Sequence, residues 1–384
     1  MCPNIHIALV IQDLYTRGAQ YVTALVARGL IERGYEVDIV VSAVHSRIAT
    51  ERPQLTPFPI PDKARIVQLP NLKSSQNILQ LMRYFKTCKP NVVIPMSSNY
   101  EPACAIASCF LSRSIRPKLM PVVHSGTIGV PQAQMFFSGF RENLLRRWIS
   151  RFSDTRMDKV LAVSKGVADA LVLTGRFPRE KVSVVYNPVV DETFIKKRDS
   201  PATHPWLINK TCPVLVTAGA HESLKGYDIL LRAFAEVKRK MSCRLVLFGE
   251  GTQTQNLQEL AETLGVIDDT SFPGYTDNLP ANLKHADLFV LSSHFESFSI
   301  VLVEALACGI PVVATNCPSG PPEILLKGRY GILVEPNNST DLAKGICNAL
   351  CGHGIIPPPE SWLPYSLQAV IERYDLAIHS VCEF

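Results

Sequence analysis

Short apolar runs and amphipathic segments alternate along this chain of 384 residues, and no other property of the sequence limits the possible folds as strongly. The pattern begins with IHIALVIQ, continues with AQYVTALVARGLIERG and returns to YEVDIVVSA. The apolar runs are nearly continuous, which is typical of strands buried on both faces of a parallel sheet. The segments between them have the apolar period of helices that cover such a sheet. The sequence therefore predicts an α/β fold.

The alternation is interrupted by a polar, proline-bearing stretch after Asn187-Pro188, VVDETFIKKRDSPATHPWLINKTC, and then resumes. Two domains also agree with the length, because one domain usually has roughly 100 to 200 residues. We therefore predict two doubly wound domains, 1–194 and 195–361, followed by a last helical segment, 362–384.

Composition indicates a globular protein, since 47% of the residues are hydrophobic and 19% are charged. The net charge of +5 favours anionic partners but is too small to indicate nucleic acid. The 11 cysteines form no Cys-x-x-Cys pair, so neither a disulfide framework nor a zinc site is expected. The sequence lacks a signal-peptide pattern and an apolar run of about 18 residues, so we expect a cytoplasmic protein without a membrane span.

Ligands of open α/β sheets bind beyond the carboxyl ends of the strands, and several loops at such positions contain unusual residues. Gly18, in DLYTRGAQ, would begin a helix whose free N–H groups suit a phosphate, although a plain turn would also need glycine. His124 ends the apolar strand PVVHSG and should face the crevice, unless it is a hydrogen-bonded structural group. Lys225, in AGAHESLKGYD, could reach an anion at a helix start, or it could be a solvated surface lysine.

The segment SHFESFSIVLVEALACGIPVVAT contains two carboxylates, Glu296 and Glu304, in apolar surroundings. A helix that Ser299 can cap and that is apolar on every side except Glu304 is predicted to be buried. Eight residues of helix rise about 12 Å, so the two glutamates could hold opposite ends of a long ligand such as a nucleotide sugar. Two separate salt bridges to lysine or arginine are the alternative.

The following loop, NCPSGPPEILLKGRYGILVEP, places Ser319, Gly320 and Glu323 near another helix start. These residues could line the same pocket. They could equally form a rigid corner set by the prolines.

These segments resemble the Glu-x7-Glu signature of retaining GT-B glycosyltransferases, of the type called glycosyl transferases group 1. The continuation NCPSGPPEILLKGRYGILVEPNN resembles the subgroup that builds bacterial surface polysaccharides and glycolipids. Similar segments cover nearly the whole chain: RGAQYVTALVARGLIERGYEVDIVV, LAVSKGVADAL, VSVVYNPVV and GEGTQTQNLQELAETLGVIDDTSFPGYTDN. The resemblance implies two Rossmann-like domains that face a cleft, with the acceptor on the first, the donor on the second and the last helix crossing back to the first.

The resemblance also implies roles for individual residues. Glu304 would hold the ribose of the donor nucleotide, Glu296 the transferred sugar and Lys225 the diphosphate, while His124 would touch the sugar near its anomeric carbon. The implied catalytic residues are His124, Lys225 and Glu296. The implied donor-binding residues are Arg17, Gly18, Lys225, Gly249, Gly251, Gly274, Tyr275, Glu296, Ser297, Phe298, Ser299, Ile300 and Glu304, and the possible pocket residues are Ser319, Gly320 and Glu323.

The sequence departs from the family pattern at three positions. Gly219-Ala220 stands where a glycine-arginine pair is usual, so one cationic contact to the diphosphate is missing at Ala220. Arg17 stands where paired glycines are common and could supply that charge. Ser299 replaces a frequent glycine, and a positive φ there would be strained.

The resemblance implies an enzyme that moves a sugar from a nucleotide diphosphate sugar, with UDP-sugar as the expected donor, to a glycan or lipid-linked acceptor in surface polysaccharide or lipopolysaccharide biosynthesis. No acidic metal-binding motif stands out at a strand end, so we expect neither a metal nor another cofactor. The alternatives are a sugar nucleotide epimerase and a nucleotide-sugar-binding protein weakened by the missing arginine.

The segment 141–159, RENLLRRWISRFSDTRMDK, is basic and amphipathic, with Leu144, Leu145, Trp148, Ile149 and Phe152 at helical spacing. Such a segment can lie on an anionic membrane surface, here the inner face of the membrane. A helix that packs on its own domain with its arginines in water is the alternative.

Overall fold

The computed structural model describes residues 5–15, 18–42, 60–69, 74–124 and 149–382, with the side chains of 74–76 left out. The chain divides into two compact units. The first unit is Met1–Pro188 together with Leu367–Phe384, and the second is Val189–Ser366. The boundaries drawn from the sequence, after 194 and after 361, differ from these by a few residues.

The strands and helices follow one another in the predicted alternation. The strands are β1 (His6–Ile11), β2 (Glu36–Val41), β3 (Arg65–Gln68), β4 (Val92–Pro95), β5 (Lys118–Leu119), β6 (Val122–Val123), β7 (Val160–Ala162), β8 (Val182–Val184), β9 (Val214–Ala218), β10 (Arg244–Phe248), β11 (Thr270–Gly274), β12 (Leu288–Leu291), β13 (Val312–Thr315) and β14 (Ile332–Val334). The α-helices are α1 (Ala19–Glu32), α2 (Ser74–Cys88), α3 (Glu101–Cys109), α4 (Lys165–Leu173), α5 (Glu192–Arg198), α6 (Pro205–Ile208), α7 (Tyr227–Lys238), α8 (Thr254–Thr263), α9 (Leu279–Lys284), α10 (Ile300–Ala307), α11 (Pro321–Ile324), α12 (Ser339–Asn348) and α13 (Leu367–His379). Residues 149–156 are also helical.

The described residues of the first unit form two parallel sheets. One has the strand order β3-β2-β1-β4-β5 and the other the order β6-β7-β8. All six residues of β1 are buried, because this strand is central and covered on both faces. Helix α13 belongs to this unit and packs on α1, and Arg33 Nη1 donates to Asp375 Oδ2 at 3.1 Å beside that contact. The last helix therefore returns to the first unit, as the resemblance implied.

The second unit contains one parallel sheet in the order β11-β10-β9-β12-β13-β14. Numbered within the unit, this is the order 3-2-1-4-5-6 of a Rossmann-like fold. Helices α7 and α12 cover the sheet through a core that includes Leu215, Leu230, Phe234, Val313 and Leu342. The strand order reverses between β9 and β12, and ligands of such sheets bind outside the carboxyl ends of the strands at this switch point.

Candidate functional site

The loops that follow β9 and β12 meet at the switch point of the second sheet. Lys225 ends the short 3₁₀ turn Ser223–Lys225 after β9, and Glu296 lies in the loop between β12 and α10. Lys225 Nζ is 2.7 Å from Glu296 Oε1, although the two residues are 71 positions apart. The side chain of Glu296 is 10% exposed and that of Lys225 is 27% exposed, so solvent reaches the pair from the lysine side.

The carboxylate of Glu296 has a second donor, which the sequence analysis missed. The hydroxyl of Ser293 donates to the same oxygen, Oε1, at 2.9 Å. Ser293 is fully buried, and its carbonyl accepts a 2.6 Å hydrogen bond from Thr315 Oγ1 at the end of β13. Two neighbouring strands therefore fix the position of Glu296. Both donors use Oε1, and within the described ranges Oε2 accepts no hydrogen bond, so Oε2 keeps its capacity to accept one from a ligand.

Hydrogen bonds to backbone carbonyls hold the β9 loop against the β12 loop. Ser292 Oγ donates to Lys225 O at 2.9 Å, and His294 N donates to Leu224 O at 3.0 Å. Gly226 has the left-handed φ of +60°, and a Cβ on it would lie 2.3 Å from Ser292 O. Because another residue would clash there, Gly226 keeps the two loops close enough for Lys225 to reach Glu296. The signal in the sequence was the glycine directly after the lysine.

The loop after β10 packs on the same β9 loop. A Cβ on Gly249 would lie 2.0 Å from Gly219 O, and one on Gly251 would lie 2.5 Å from His221 O. Gly249 N donates to Gly274 O at 2.8 Å, which joins the ends of β10 and β11. These predicted donor-binding glycines are thus required by close backbone packing at the edge of the sheet. Tyr275, directly after β11, is 56% exposed at the same edge, and its role in donor binding stays a prediction.

Helix α10 begins at Ile300, so Glu296 precedes it and Glu304 lies inside it. The predicted 12 Å spacing, which assumed a helix over all eight residues, was therefore wrong in its geometry. Glu304 is buried, with 8% of its surface exposed, as the apolar pattern around it predicted. Ser299 occupies the N-cap position with a φ of −140°, so no strain arises there, but its side chain makes no capping hydrogen bond, contrary to the prediction.

The loop after β13 adjoins the Glu296 loop. Ser319 Oγ donates to Ser297 O at 3.2 Å, and a Cβ on Gly320 would lie 3.3 Å from Glu296 Cβ. Glu323 follows in the first turn of the short helix α11. Phe298 packs edge-on against Tyr365, with 5.5 Å between the ring centroids. The structure therefore places Ser319 and Gly320 beside the Glu296 loop.

The predicted residues of the first unit lie at the ends of its strands and helices. Gly18 is the N-cap residue of α1 and has a φ of +94°, which explains a glycine at this position. His124 directly follows β6, burial lowers its pKa to about 4, and its Nε2 has no hydrogen-bond partner within the described residues. At pH 7 this imidazole is neutral. Arg17 lies outside the described residues.

The first part of the basic segment, 141–148 with Leu144, Leu145 and Trp148, lies outside the described residues. In the described remainder, Phe152 is 47% exposed. No helix in the described ranges is both long and apolar enough to cross a membrane. Among the same residues, no group of three or more His, Cys, Asp or Glu side chains is arranged to hold a metal ion.

Two family models match the chain. Residues 202–352 match Glycosyl transferases group 1, and residues 16–193 match Glycosyltransferase Family 4. Each match covers less than half of the chain, and the two matched ranges follow one another along it. The retaining stereochemistry and the roles of the two glutamates are not tested by these matches and stay predictions.

Curated relatives include, by name, one synthase and two sugar transferases. The chain is 28% identical to N-acetyl-alpha-D-glucosaminyl L-malate synthase of Bacillus anthracis over 50% of each chain. It is 27% identical, over 55% of its own length and 56% of the relative, to N-acetylgalactosamine-N,N'-diacetylbacillosaminyl-diphospho-undecaprenol 4-alpha-N-acetylgalactosaminyltransferase of Campylobacter jejuni. It is 24% identical to lipopolysaccharide 1,6-galactosyltransferase of Salmonella typhimurium over 76% of each chain. The first of these matches spans about half the length of the relative.

Solved structures of similar fold cover almost the whole chain. Anabaena HepE in complex with UDP and glucose has a TM-score of 0.75 at 20% identity, with 98% of this chain and 100% of that chain covered. The lipopolysaccharide outer core galactosyltransferase WaaB has a TM-score of 0.67 at 18% identity, with 98% and 99% covered. These likenesses confirm the GT-B fold that the resemblance implied.

Proposed function

We propose that the protein is a retaining glycosyltransferase that moves a sugar from a UDP-sugar to a glycan or lipid-linked acceptor of a surface polysaccharide or lipopolysaccharide. The observation that carries this proposal is the ion pair of Lys225 with Glu296 at the switch point of the second sheet. A cation and a carboxylate side by side suit a ligand with an anionic diphosphate next to a hydroxyl-rich sugar. The UDP named in the HepE complex and the sugar transferases among the relatives support the same donor and acceptor classes.

In the proposed reaction Lys225 stabilises the leaving group. When the bond between the anomeric carbon and the phosphate oxygen breaks, the bonding electrons go to the nucleoside diphosphate and the sugar becomes oxocarbenium-like. The ammonium group of Lys225, with backbone N–H groups of the Gly18 loop and a helix N-terminus, would oppose the charge that builds on the β-phosphate. The acceptor oxygen forms the new bond from the same face, and its proton passes to the departing phosphate.

Glu296 is proposed to orient the transferred sugar. Its Oε1 is already bonded to Lys225 and Ser293, so Oε2 would accept a hydrogen bond from a sugar hydroxyl. The carboxylate would thus contact both the sugar, through Oε2, and Lys225, which is proposed to bind the diphosphate. Glu304 is proposed to accept from the ribose hydroxyls, and neutral His124 to contact the donor sugar.

We also propose that the transfer needs no metal ion, because the lysine and a helix N-terminus would supply the positive charge that a metal would otherwise provide. Chelation by EDTA should then leave the rate unchanged. A rate that falls with EDTA and returns with added Mg²⁺ or Mn²⁺ would contradict this part of the proposal.

Incubation with labelled nucleotide sugars and a lipid-linked acceptor extract tests the activity. Label on the lipid, with the anomeric configuration of the donor, supports the proposal. Conversion of the free donor without transfer would instead indicate an epimerase, and binding without either reaction would indicate a nucleotide-sugar-binding protein weakened at Ala220. A thermal-shift screen identifies the donor, since a ligand at 100 times its dissociation constant adds about 2.7 kcal/mol to the free energy of unfolding.

Two parts of the proposal concern residues that lie wholly or partly outside the described ranges. Arg17 is proposed to supply the cation that is missing at Ala220, so Arg17→Ala should weaken donor binding, and an unchanged donor affinity would remove Arg17 from the site. The basic segment 141–159 is proposed to bind anionic membranes peripherally. Flotation with liposomes should then require acidic lipid, and no flotation with either kind of liposome would refute the contact.

A further inference from the structure

The first unit contains a cavity of about 720 Å³ that the proposed sugar transfer does not use. It lies where the chain enters β4, β5 and β7, at the amino ends of these strands, and residues 380–382 after α13 complete its wall. Gly18 and His124 follow the carboxyl ends of β1 and β6. Because all these strands are parallel within their sheets, the cavity lies at the other end of the strands from those residues.

The charged side chains that line the cavity are mostly cationic. They are Lys89, Arg116 and Lys118, against the single described carboxylate of Asp158. Both oxygens of that carboxylate are engaged, because Oδ2 accepts from Leu119 N at 2.9 Å and Oδ1 lies 3.4 Å from Lys118 Nζ. Among the described residues, the wall of the cavity therefore has an excess of positive charge.

Two of the cationic side chains have N–H groups that donate no hydrogen bond to a described residue. Arg116 Nη2 donates to Leu111 O at 3.0 Å, which fixes the guanidinium group, while its Nε is buried and has no partner in the part of the chain that the structure describes. Lys89 is exposed, and its ammonium group makes no hydrogen bond or ion pair with a described residue. The ammonium group of Lys89, on the cavity wall, is therefore available to an anion.

The backbone at Lys89 is also unusual. This residue directly follows α2 and has the left-handed φ of +46°, while its N–H donates to Phe85 O at 3.0 Å. Glycine or asparagine is the usual residue at such a helix end, because other side chains are strained there. A lysine occupies this position instead, so a cationic side chain lines the cavity where a small residue would be usual.

We propose that this cavity binds a phosphate group carried by a diphosphate or a phosphate ester. Phosphate oxygens are strong acceptors, a fixed guanidinium donates to them with good geometry, and lysines add charge. Cavities of roughly 300 to 1,000 Å³ hold small organic ligands, so the phosphate would be part of a larger molecule. The proposal does not depend on the sugar transfer proposed above, because it involves none of the same residues.

Isothermal titration calorimetry with pyrophosphate tests the proposal. The Lys225→Ala protein is the starting material, so that the proposed donor site contributes less to the heat. Adding Lys89→Gln and Lys118→Gln should weaken pyrophosphate binding about tenfold per lysine, since each removes one charge-assisted hydrogen bond. Adding Lys240→Gln and Lys344→Gln instead lowers the net charge equally at two exposed lysines of the second unit and should leave the affinity unchanged.

Hydrogen exchange of the peptide 113–120 locates the bound pyrophosphate and should slow when it binds. Absence of binding heat, equal affinity in the two sets of variants, or protection elsewhere than in this peptide would overturn the proposal. Flotation with phosphatidylcholine vesicles, with or without phosphatidic acid, identifies the source of the phosphate. Flotation that needs phosphatidic acid and both cavity lysines indicates a lipid headgroup, whereas pyrophosphate binding without flotation indicates a free phosphate compound.

Discussion

Replacement of Lys225 by alanine separates the proposed catalytic role of this residue from its contribution to stability. The substitution removes the ammonium group that lies 2.7 Å from Glu296 Oε1. At that distance the Coulomb energy is about 6 kcal/mol for an effective dielectric constant of about 20. Most of it is offset, because the lysine is 27% exposed and partly exposed ion pairs stabilise proteins by only about 0 to 1 kcal/mol. Glu296 also keeps its hydrogen bond from Ser293.

We therefore expect Lys225→Ala to lower the free energy of unfolding by about 1 kcal/mol, which is a fall of about 2 to 4 °C in Tm. The rate of transfer should fall much further. Loss of one group that stabilises developing charge typically costs about 10² to 10³ in rate, equivalent to about 2.7 to 4 kcal/mol. The protein should therefore stay folded and become nearly inactive.

Initial rates with labelled donor and acceptor extract measure the loss of activity, and differential scanning fluorimetry measures the change in Tm. Lys240→Ala, which removes an exposed lysine of the same unit, is the matched control and should retain both activity and Tm. A kcat/KM of Lys225→Ala close to that of the unchanged protein would refute the assignment of Lys225. A large fall in Tm, with activity lost in proportion to the unfolded fraction, would refute the separation of the two effects.

Three further predictions concern other parts of the structure. Ser293→Ala should lower kcat/KM about tenfold with little change in Tm, because the hydroxyl holds Glu296 in place. Ser293→Thr, which keeps a hydroxyl, should retain more of the activity. Equal losses of kcat/KM in both variants would contradict this role. Glu304→Ala should weaken UDP binding and depress transfer severely, and unchanged UDP affinity in a thermal-shift titration would remove Glu304 from the ribose site. Burial by itself would raise the pKa of the Asp38 carboxyl, but hydrogen bonds from His6 and neighbouring side chains hold that pKa below its ordinary range. The contribution of Asp38 to stability is thus present above about pH 4 and lost as the pH falls further. Below about pH 4, the free energy of unfolding of Asp38→Asn in urea should therefore depend less on pH than that of the unchanged protein. Parallel pH curves for the two proteins would refute this prediction.

Much of the fold and part of the site could be predicted from the sequence, because both depend on local patterns. Nearly continuous apolar runs are incompatible with a solvent-facing strand, so LVLF and VVAT had to become buried strands of parallel sheets. The helix around Glu304 was likewise recognisable, since its apolar surface extends to every side except the carboxylate. Gly249 and Gly251 were predicted from the resemblance as donor-binding residues, whereas the close approach of their loops to the β9 loop, and the role of Gly226, were not predicted.

The tertiary structure decided which loops meet. Lys225 and Glu296 are 71 positions apart, and only the adjacency of β9 and β12 at the reversal of strand order brings them within 2.7 Å. The start of α10 at Ile300 likewise depends on the packing of that loop, so the helical spacing assumed for the two glutamates failed. Apolar periodicity indicates which face of each segment is buried, but it does not indicate which strands will be neighbours in the sheet. The charged pair at the centre of the candidate site is therefore a product of strand order, while the residue types that form it were readable from the sequence.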